Sequence, residues 1–493
     1  MLKDIIEDLN QKQEIRKNLI QIKELIKEDR GKKELLDLLT DNSIFIGFLQ
    51  HEDPKIRKNA ALILGRLEAK EALPALAEAY EGEETLFVRS AYLTAMQIFD
   101  CKEYLPMLRE RYEQIQRMES SEGEKKHLRE ERRELEKILR KEEIYEPHPF
   151  CGYEEETEVI LTTDRGFSQL TAEQIRGGRV AVSPSGVRVR TKNLPSLLKI
   201  RTFREILFPI RGVEPFAMDA ETAGKSLLQG SLMELLECHL EGGAPYYFRL
   251  QVLSPMDQGK KTDFIKKTAY ILEEESGYRL VNSKDDYEIE IRLIQNKEGR
   301  FCAYLKFFTL PLRRFSYRKN ALAVSIHPAQ AALLLRLAKP YLKEDAAVLD
   351  PFCGVGTMLL EREQILPART LYGTDIFGEA IRGARENTEL AGVSASYIQR
   401  DFFDFTHRHR FDEILTNMPA RGKKSKAEQD LFYARFFEKA QEHLEKDGTM
   451  ILYSNENGFV KKQLRLHKNL ELLREYCIRP REGCFLFIIG IKE

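Results

Sequence analysis

The segment that most constrains the fold of this chain is a strand, a tight turn and a helix near residue 350. An apolar run ends in an acidic residue, a turn with two glycines follows, and a second apolar stretch begins, in residues 346–361, AAVLDPFCGVGTMLLE. Glycines in such a turn let backbone N–H groups and the positive end of a helix approach a ligand closely. Position 359 is leucine, so the third glycine of a G-x-G-x-x-G dinucleotide turn is absent, and the longer string D-P-F-C-G-x-G-T is the more specific signal.

Strands and helices alternate regularly through residues 321–493, which predicts a mostly parallel sheet. The predicted strands are 346–350, 370–375, 395–399, 412–416, 449–454, 471–477 and 484–491. The last two are too close for a helix between them, so the final strand should enter the sheet antiparallel. We therefore expect a Rossmann-like α/β domain in the C-terminal part of a multidomain chain.

Two further acidic residues follow the next two predicted strands. Asp375 lies where a carboxylate would accept hydrogen bonds from two ribose hydroxyls, and Asp401 lies where it could accept one from an adenine amino group. Each alone could simply cap a helix. Together with Asp350 they fall on one rim of a parallel sheet, which predicts a nucleoside-binding pocket at that rim.

The N-terminal part of the chain is helical in pattern. Residues 53–65 and 86–95 form a weak repeat, and such repeats must stack because one copy cannot bury its apolar face alone. The pattern resembles HEAT-type repeats, with an ordinary helical bundle as an equal alternative. We assign residues 1–108 to all-α repeats that a protein partner could bind. Residues 109–145 are interpreted as a charged, solvated connecting helix.

Strand-like segments and basic residues mark the middle of the chain. Residues 165–204 contain nine arginines and lysines but only one acidic residue, Glu173. This excess of positive charge favours an anion-binding surface over an ordinary exposed face. Residues 216–244 are read as a linker containing one helix, and residues 245–310 as a small α/β unit. The candidate nucleic-acid contacts are Arg165, Arg188, Arg190, Arg201, Arg204, Lys266, Lys267, Arg318 and Lys423.

Composition excludes several other classes of protein. The formal net charge is -1 with 32% charged residues, so the chain is not a polybasic binder as a whole. No apolar run is long enough for a membrane helix, and the N-terminus lacks the apolar core of a signal peptide. The seven cysteines are scattered without a C-x-x-C pair, so neither a disulfide framework nor a zinc site is indicated. We expect a cytoplasmic protein with no metal and no membrane contact; the oligomeric state stays open.

These motifs resemble the THUMP-containing RNA guanine-N2 methyltransferases. The resemblance covers the turn at 350–357, the lead-in segments 314–318 and 325–331, and the upstream segments 162–167 and 197–204. It implies a ferredoxin-like segment over 150–215, a THUMP RNA-binding domain over 245–312, and a class I methyltransferase domain over 313–493. It also implies that S-adenosyl-L-methionine binds to Asp350, Phe352, Cys353, Gly354, Gly356, Thr357, Asp375, Ile376, Asp401 and Phe402. The helical region lies outside the usual plan of this family.

The resemblance places the reaction at the loop that follows the fourth predicted strand. Asn417, Met418 and Pro419 correspond to the family's pattern of Asn or Asp, a variable residue or Pro, Pro and an aromatic residue. The Asn417 side-chain oxygen and the Met418 carbonyl could accept the two N–H bonds of an aromatic amine, while Pro419 fixes the backbone. Ala420 stands where the family has the aromatic residue that stacks on the target base. The candidate substitutes are Phe432, Tyr433, Phe436 and Tyr317.

Several functions remain compatible with these residues. The leading interpretation is methylation of guanosine N2 in tRNA, with 23S ribosomal RNA as the alternative RNA. A DNA adenine-N6 methyltransferase uses a similar loop, although the basic segment and the THUMP-like unit favour RNA. Ala420 supports a third interpretation, a non-catalytic RNA-binding scaffold whose helical repeats recruit a partner.

Overall fold

A computed structural model describes residues 2–118, 122–142 and 146–492 of the chain. These residues form two compact units, one ending at Pro147 and the other beginning at His148. Among the described residues, no helix has both the length and the apolar character needed to cross a bilayer.

The described residues of the N-terminal unit form helices and no strands. Their bounds are α1 Leu2–Asn10, α2 Ile15–Leu25, α3 Asp29–Leu38, α4 Ser43–Gly47, α5 Pro54–Leu67, α6 Leu73–Glu81, α7 Leu86–Met96, α8 Leu105–Arg117 and α9 Glu122–Glu142. α5 begins where the Asp53 side chain accepts a hydrogen bond from the Lys55 N–H, with Pro54 in the first helical position. A Cβ on Gly65 would lie 2.7 Å from the Ala95 Cα, so the small residues of the repeat allow α5 and α7 to pack closely.

The charged segment 109–145 differs from the expected solvated helix. It completes α8 and forms α9, which buries Leu135 and Ile138 in the core of the unit. Glu131 of α9 is fully buried and binds two guanidinium groups, with its Oε1 2.7 Å from Arg89 Nε and 2.8 Å from Arg111 Nε. Some of the charged residues that suggested a solvated helix, Arg111 and Glu131 among them, instead form a buried ion-pair network. Positions 119–121 and 143–145 of this segment lie outside the described residues.

The second unit begins with a single eight-stranded sheet. Its elements are β1 Thr157–Thr162, α10 Ser168–Ala172, β2 Arg179–Ser183, β3 Gly186–Thr191, α11 Leu194–Leu198, β4 Ile206–Pro209, α12 Ala220–Gln229, α13 Leu232–His239, β5 Tyr246–Leu253, α14 Gln258–Glu275, β6 Leu280–Asn282, β7 Ile289–Gln295 and β8 Phe301–Phe307. The strand order is β2-β3-β1-β4-β8-β7-β5-β6. The antiparallel pairing of β4 with β8, where Phe208 faces Leu305, joins the segments predicted as ferredoxin-like and as THUMP into one sheet.

Residues 216–244 are not the linker that the sequence suggested. They form two helices, α12 and α13, and Leu227, Leu232 and Leu236 of these helices are completely buried in the core of the eight-stranded sheet. The interpretation was wrong because these apolar residues are spread over two short helices, so neither gives a long periodic signal.

The C-terminal sheet has seven strands. Its elements are α15 Pro328–Ala338, β9 Ala347–Asp350, α16 Thr357–Ile365, β10 Thr370–Asp375, α17 Gly378–Leu390, β11 Ser396–Gln399, β12 Phe411–Asn417, α18 Lys426–His443, β13 Leu444–Ser454, α19 Asn457–Leu466, β14 Leu470–Arg479 and β15 Cys484–Ile491. The order is β11-β10-β9-β12-β13-β15-β14, and β15 runs antiparallel to both neighbours, as expected. Val348 and Leu349 of β9 belong to different apolar clusters, so both faces of the sheet are covered.

A buried charged cluster ties the two sheets together. Arg201, between α11 and β4, holds Glu361 of α16 through two hydrogen bonds of 2.8 and 2.7 Å, and the Tyr317 hydroxyl donates a third to Glu361 at 2.6 Å. The Arg314 guanidinium lies 3.5 Å from the centre of the Phe203 ring and donates to the Ile200 carbonyl at 2.8 Å. Burial, reinforced by the charge of Arg201, lowers the pKa of Arg314 to about 9.

Candidate active site

A cavity of about 1100 Å³ opens at the carboxyl ends of the parallel strands of the seven-stranded sheet. Asp350 ends β9, Asp375 ends β10, Asn417 ends β12, and Asp401 follows β11; all four line this cavity. Because the carboxyl ends of parallel strands share one edge, the fold gathers residues that are far apart in sequence. The predicted cofactor residues that line the cavity are Asp350, Phe352, Cys353, Gly354, Thr357, Asp375, Ile376, Asp401 and Phe402.

The two glycines of the turn after β9 have different roles. Both adopt positive φ angles, +52° at Gly354 and +82° at Gly356, which favour glycine. In the described part of the chain, nothing lies within 4 Å of a Cβ placed on Gly354, so its backbone faces open space. A Cβ on Gly356 would lie 2.5 Å from the Tyr397 hydroxyl, and Gly356 is not among the residues that line the cavity. Gly356 therefore makes room for a packed tyrosine, whereas Gly354 leaves room for a ligand.

The backbone holds the carboxylates of Asp375 and Asp401 in place. Asp375 accepts hydrogen bonds from the N–H groups of Gly354 and Phe377, both at 2.9 Å, and Asp401 accepts one from the Phe403 N–H at 3.0 Å. Each carboxylate oxygen can accept a second hydrogen bond, so both groups retain capacity for a ligand. Ile376 and Phe377 also line the cavity with 55% and 64% of their surfaces exposed. Oriented carboxylates beside an apolar wall suit the hydroxyls and the flat base of a nucleoside.

Asp350 is almost completely buried at the base of the glycine turn. Only 1% of its surface is exposed, and its Oδ1 accepts a hydrogen bond from the Phe352 N–H at 3.1 Å. Burial raises the pKa of this carboxyl to about 7, and the nearby charge of Asp375 acts in the same direction.

We expect Asp350→Asn to stabilise this unit at alkaline pH. The folded carboxyl titrates near 7 and the unfolded one near 4, so its ionisation costs folding free energy as pH rises through this window. Removing the charge should raise the free energy of unfolding by roughly 1–4 kcal/mol at pH 8, and the gain should vanish toward pH 4. Denaturant titrations at several pH values measure it, with Asp404→Asn, an exposed carboxyl, as the control. A variant less stable than the parent at pH 8 would contradict the raised pKa of the buried carboxyl.

The loop after β12 carries Asn417, Met418 and Pro419, all of which line the cavity. Asn417 pairs with Tyr453 of β13, and the Met418 N–H donates to the Tyr453 carbonyl at 2.9 Å, which fixes the start of the loop. Among the residues that the structure describes, the Asn417 side chain makes no hydrogen bond. Pairing with β13 therefore holds the backbone of Asn417 and Met418 in place. The Asn417 side-chain amide lines the same cavity as the three carboxylates and is unpaired among the described residues.

One of the four candidate substitutes for the missing aromatic residue at position 420 lines the cavity. Phe432 of α18 is half-buried there, 5.5 Å from the Phe352 ring between ring centres. Tyr433 is buried with its hydroxyl 2.7 Å from Ser454 Oγ, Tyr317 is bound to Glu361, and Phe436 is fully buried. Phe432 is thus the one of these four candidates that lines the cavity, and Lys424 Nζ lies over its ring, 4.7 Å from the ring centre.

The predicted nucleic-acid contacts do not gather at one place. Arg188 and Arg190 of β3 are exposed and pair with Glu158 and Glu156, at 2.6 and 2.7 Å. Lys266 and Lys267 are exposed on α14, Arg165 and Lys423 are exposed on loops, and Arg318 is half-buried. Within the Asn417 loop it is Lys424, rather than Lys423, that lines the cavity.

Arg201 is a correction to the predicted nucleic-acid contacts. Both of its donor pairs are used inside the protein, by the Glu361 carboxylate and the Arg314 carbonyl, so it is a structural residue and not a phosphate contact. Arg204, three residues further on, does line the cavity. There Arg204 and Arg479 both donate hydrogen bonds to the side-chain oxygen of Gln330. Sequence reasoning singled out neither Gln330 nor Arg479 as a site residue, because only the packing of α15 and β14 brings them to this edge.

Comparison with known proteins assigns domains to two parts of the chain. Residues 316–476 match the family described as RMKL-like, methyltransferase domain, and residues 43–114 match HEAT repeats. The second match confirms the HEAT-like interpretation of the N-terminal helices, with 43–114 as the matched range.

Curated relatives are similar over part of their length. A segment of 153 residues, 30% of this chain and 29% of the relative, is 30% identical to the U6 snRNA (guanine-N(2))-methyltransferase THUMPD2 of Bos taurus. Another of 131 residues, 26% of this chain and 38% of the relative, is 28% identical to the tRNA (guanine(10)-N2)-dimethyltransferase of Methanothermobacter thermautotrophicus. The matches thus cover well under half of these relatives. They confirm the resemblance to THUMP-type guanine-N2 methyltransferases.

Solved structures share the fold of the second unit. TrmN from Thermus thermophilus is 22% identical with a TM-score of 0.52, and the match covers 68% of this chain and 99% of that one. SMU.472, a putative methyltransferase complexed with SAH, is 15% identical with a TM-score of 0.51, covering 68% and 98%. These matches show that the fold of about two thirds of this chain is shared with solved structures.

Proposed function

We propose that this chain, whose residues 316–476 form an RMKL-like methyltransferase domain, transfers a methyl group from S-adenosyl-L-methionine to the exocyclic N2 of a guanosine in RNA. One observation carries the proposal. A single cavity holds the glycine turn at Gly354, the oriented carboxylates Asp375 and Asp401, and the Asn417 loop. The residues proposed to bind the methyl donor and the loop proposed to bind the target amine thus line the same cavity.

The residues present fit the proposed cofactor. Gly354 leaves its side of the turn open, Asp375 and Asp401 retain acceptor capacity for ribose hydroxyls and an amino group, and Ile376 offers an apolar face to a base. Asp350 lies beneath the turn, where its ionised form would be favoured by a nearby ammonium group. When bound, the cofactor supplies an electrophilic methyl group on a sulfonium.

The protein's own contribution is alignment and electrostatics. The exocyclic amine of guanine is conjugated with the ring and is a weak nucleophile, so it needs hydrogen-bond acceptors that favour charge developing on nitrogen. The unpaired Asn417 side chain can supply one acceptor and the Met418 carbonyl another, while the hydrogen bond from Met418 to Tyr453 keeps the loop in place. Phe432, which lines the cavity, is proposed to stack on the base once Lys424 moves away from its ring. Holding the amine about 3–3.5 Å from the methyl carbon supplies much of the rate.

RNA is the proposed substrate class, with tRNA ahead of 23S ribosomal RNA. Two curated relatives are named for guanine-N2 methylation, one of U6 snRNA and one of tRNA. The exposed Arg188 and Arg190 on β3 and the exposed lysines of α14 offer cations to phosphates. We further propose that the protein acts in the cytoplasm, and that the HEAT repeats bind a protein partner.

The decisive test combines binding and transfer. Calorimetry with the purified chain should show heats of binding for S-adenosyl-L-methionine and for its demethylated product. Tritium from the labelled methyl group should enter total RNA of a strain that lacks the gene, and mass spectrometry of nucleosides should identify N2-methylguanosine. Absence of any heat would refute the cofactor site. Transfer to DNA adenine would identify the alternative enzyme, and binding without transfer would identify a scaffold.

A further inference from the structure

A polar cluster lines the cavity on the opposite side of Asn417 from the carboxylates. We call it the Gln330 cluster, and it consists of Asp164, Arg204, Gln330 and Arg479. In the seven-stranded sheet, β9, β10 and β11 lie on one side of β12, whereas β14, which carries Arg479, lies on the other. Arg204, Gln330 and Arg479 line the cavity together with Asn417. The cavity therefore extends from the cofactor residues past Asn417 to this cluster.

The two arginines fix the orientation of the Gln330 amide. Its Oε1 accepts hydrogen bonds from Arg204 Nη2 at 2.5 Å and from Arg479 Nη2 at 2.6 Å. A guanidinium can only donate, so the atom that meets both arginines must be the oxygen and the other atom must be the NH₂ group. Asp164 holds both arginines in turn, with contacts of 3.1 Å to Arg204 and 3.3 Å to Arg479.

The Gln330 amide nitrogen is a buried donor with nothing to bind. Only 2% of Gln330 is exposed, and its Nε2 has no hydrogen-bond partner among the described residues. Buried donors are nearly always paired, so an unpaired one in the wall of a cavity points to a ligand atom that accepts a hydrogen bond. The amide is locked by two charged donors and cannot turn its oxygen outward without losing both contacts.

The charges of the cluster favour a base over a phosphate as this acceptor. The two guanidinium groups face two carboxylates, because Arg479 also contacts Glu482 at 3.1 Å in addition to Asp164. Positive charge is therefore largely compensated at the cluster. The charges of the cluster are nearly balanced, and the Gln330 NH₂ group is an uncharged donor. The site is therefore suited to recognising an uncharged acceptor atom.

We propose that Gln330 determines the choice of guanine by donating a hydrogen bond from Nε2 to O6 of the target base. This inference rests on the proposed function. Guanine carries its N2 amine and its O6 acceptor on the same edge, and the proposal places N2 at Asn417 and O6 at Gln330, which both line this cavity. Adenine presents an amino group in place of O6, and two donors would then face each other. Gln330 is a specificity residue, and Arg204, Arg479 and Asp164 position it.

The test uses Gln330→Glu in the full-length protein. A glutamate has the same shape and still accepts from Arg204 and Arg479, but its carboxylate cannot donate to O6. We expect kcat/KM for transfer to the RNA that the parent protein labels to fall at least ~100-fold. Cofactor affinity by calorimetry and the melting temperature should stay unchanged. Gln169→Glu, the same charge change at an exposed position of α10, is the control and should stay within about threefold of the parent.

Transcripts with altered guanosines identify the atom. In RNA made with 6-thioguanosine the acceptor at position 6 is weak, so the ratio of parent to Gln330→Glu activity should shrink from at least ~100 to below about 10. In RNA made with 7-deazaguanosine, which keeps O6, the ratio should persist. A ratio that persists with 6-thioguanosine would overturn the assignment to O6. Equal activity of the parent and Gln330→Glu on ordinary RNA would overturn the inference and leave the proposed function intact, whereas an inactive parent protein would overturn both.

Discussion

Asn417→Ala is expected to slow methyl transfer to RNA about 100–1000-fold while leaving cofactor affinity within a few-fold of the parent. The side chain sits at the carboxyl end of β12 with no hydrogen bond to any described residue, so its loss removes an acceptor for the substrate and no internal contact. Single-turnover transfer of labelled methyl groups measures the rate, and calorimetry measures cofactor binding. Asn469→Ala, at an exposed position before β14 where the side chain donates to Gln441 Oε1 at 2.8 Å, is the control and should leave the rate of methyl transfer unchanged.

The variant Asn417→Asp separates a chemical role from a structural one. A carboxylate accepts hydrogen bonds as well as an amide oxygen does, so Asn417→Asp should retain part of the activity that Asn417→Ala loses. Full activity of Asn417→Ala would show that another group accepts the amine hydrogens. A similar loss in both variants, with a lowered melting temperature, would assign Asn417 to packing.

Glu361→Ala is expected to destabilise the second unit by about 3–5 kcal/mol. The carboxylate is 1% exposed, and it accepts hydrogen bonds from both the Arg201 guanidinium and the Tyr317 hydroxyl. Its removal leaves Arg201 half-buried without its counter-charge, next to the half-buried Arg314. Denaturant titration measures the loss.

Two further variants calibrate the Glu361 result. Glu361→Gln keeps an acceptor oxygen and should lose less stability than Glu361→Ala. Glu389→Ala, at an exposed position of α17, should change stability by no more than about 0.5 kcal/mol. A loss below about 1 kcal/mol in Glu361→Ala would mean that water solvates Arg201 once its partner is gone, and that the two sheets do not depend on this cluster.

Local patterns in the sequence predicted the C-terminal domain well. The strands of the seven-stranded sheet, including the antiparallel β15, lie within a few residues of the predicted ranges, apart from an earlier start of β13 at Leu444. Buried parallel strands are short apolar runs bounded by turns, and such runs are visible without any knowledge of the fold. Asp350, Asp375 and Asp401 were predictable for the same reason, because each follows directly after one of these runs.

What the sequence did not reveal depends on long-range packing. Arg188 and Arg201 lie in the same basic segment, yet one is exposed on β3 and the other is locked to Glu361, and only the docking of the two sheets separates them. Glu131 reads as one more charge on a charged helix, although it is fully buried. Gln330 follows an ordinary helix start at His327 and Pro328, and its amide gains significance only beside Arg204 and Arg479.

The Gln330 cluster takes Asp164 and Arg204 from the part of the chain that forms the eight-stranded sheet, and Gln330 and Arg479 from the part that forms the seven-stranded sheet. A chimera that joins residues 313–493 to a foreign N-terminal module would therefore lose Asp164 and Arg204, although it would keep the carboxylates at the strand ends. Exchange of either part alone would break the hydrogen bonds that fix the Gln330 amide and Arg479 across the boundary between the two sheets.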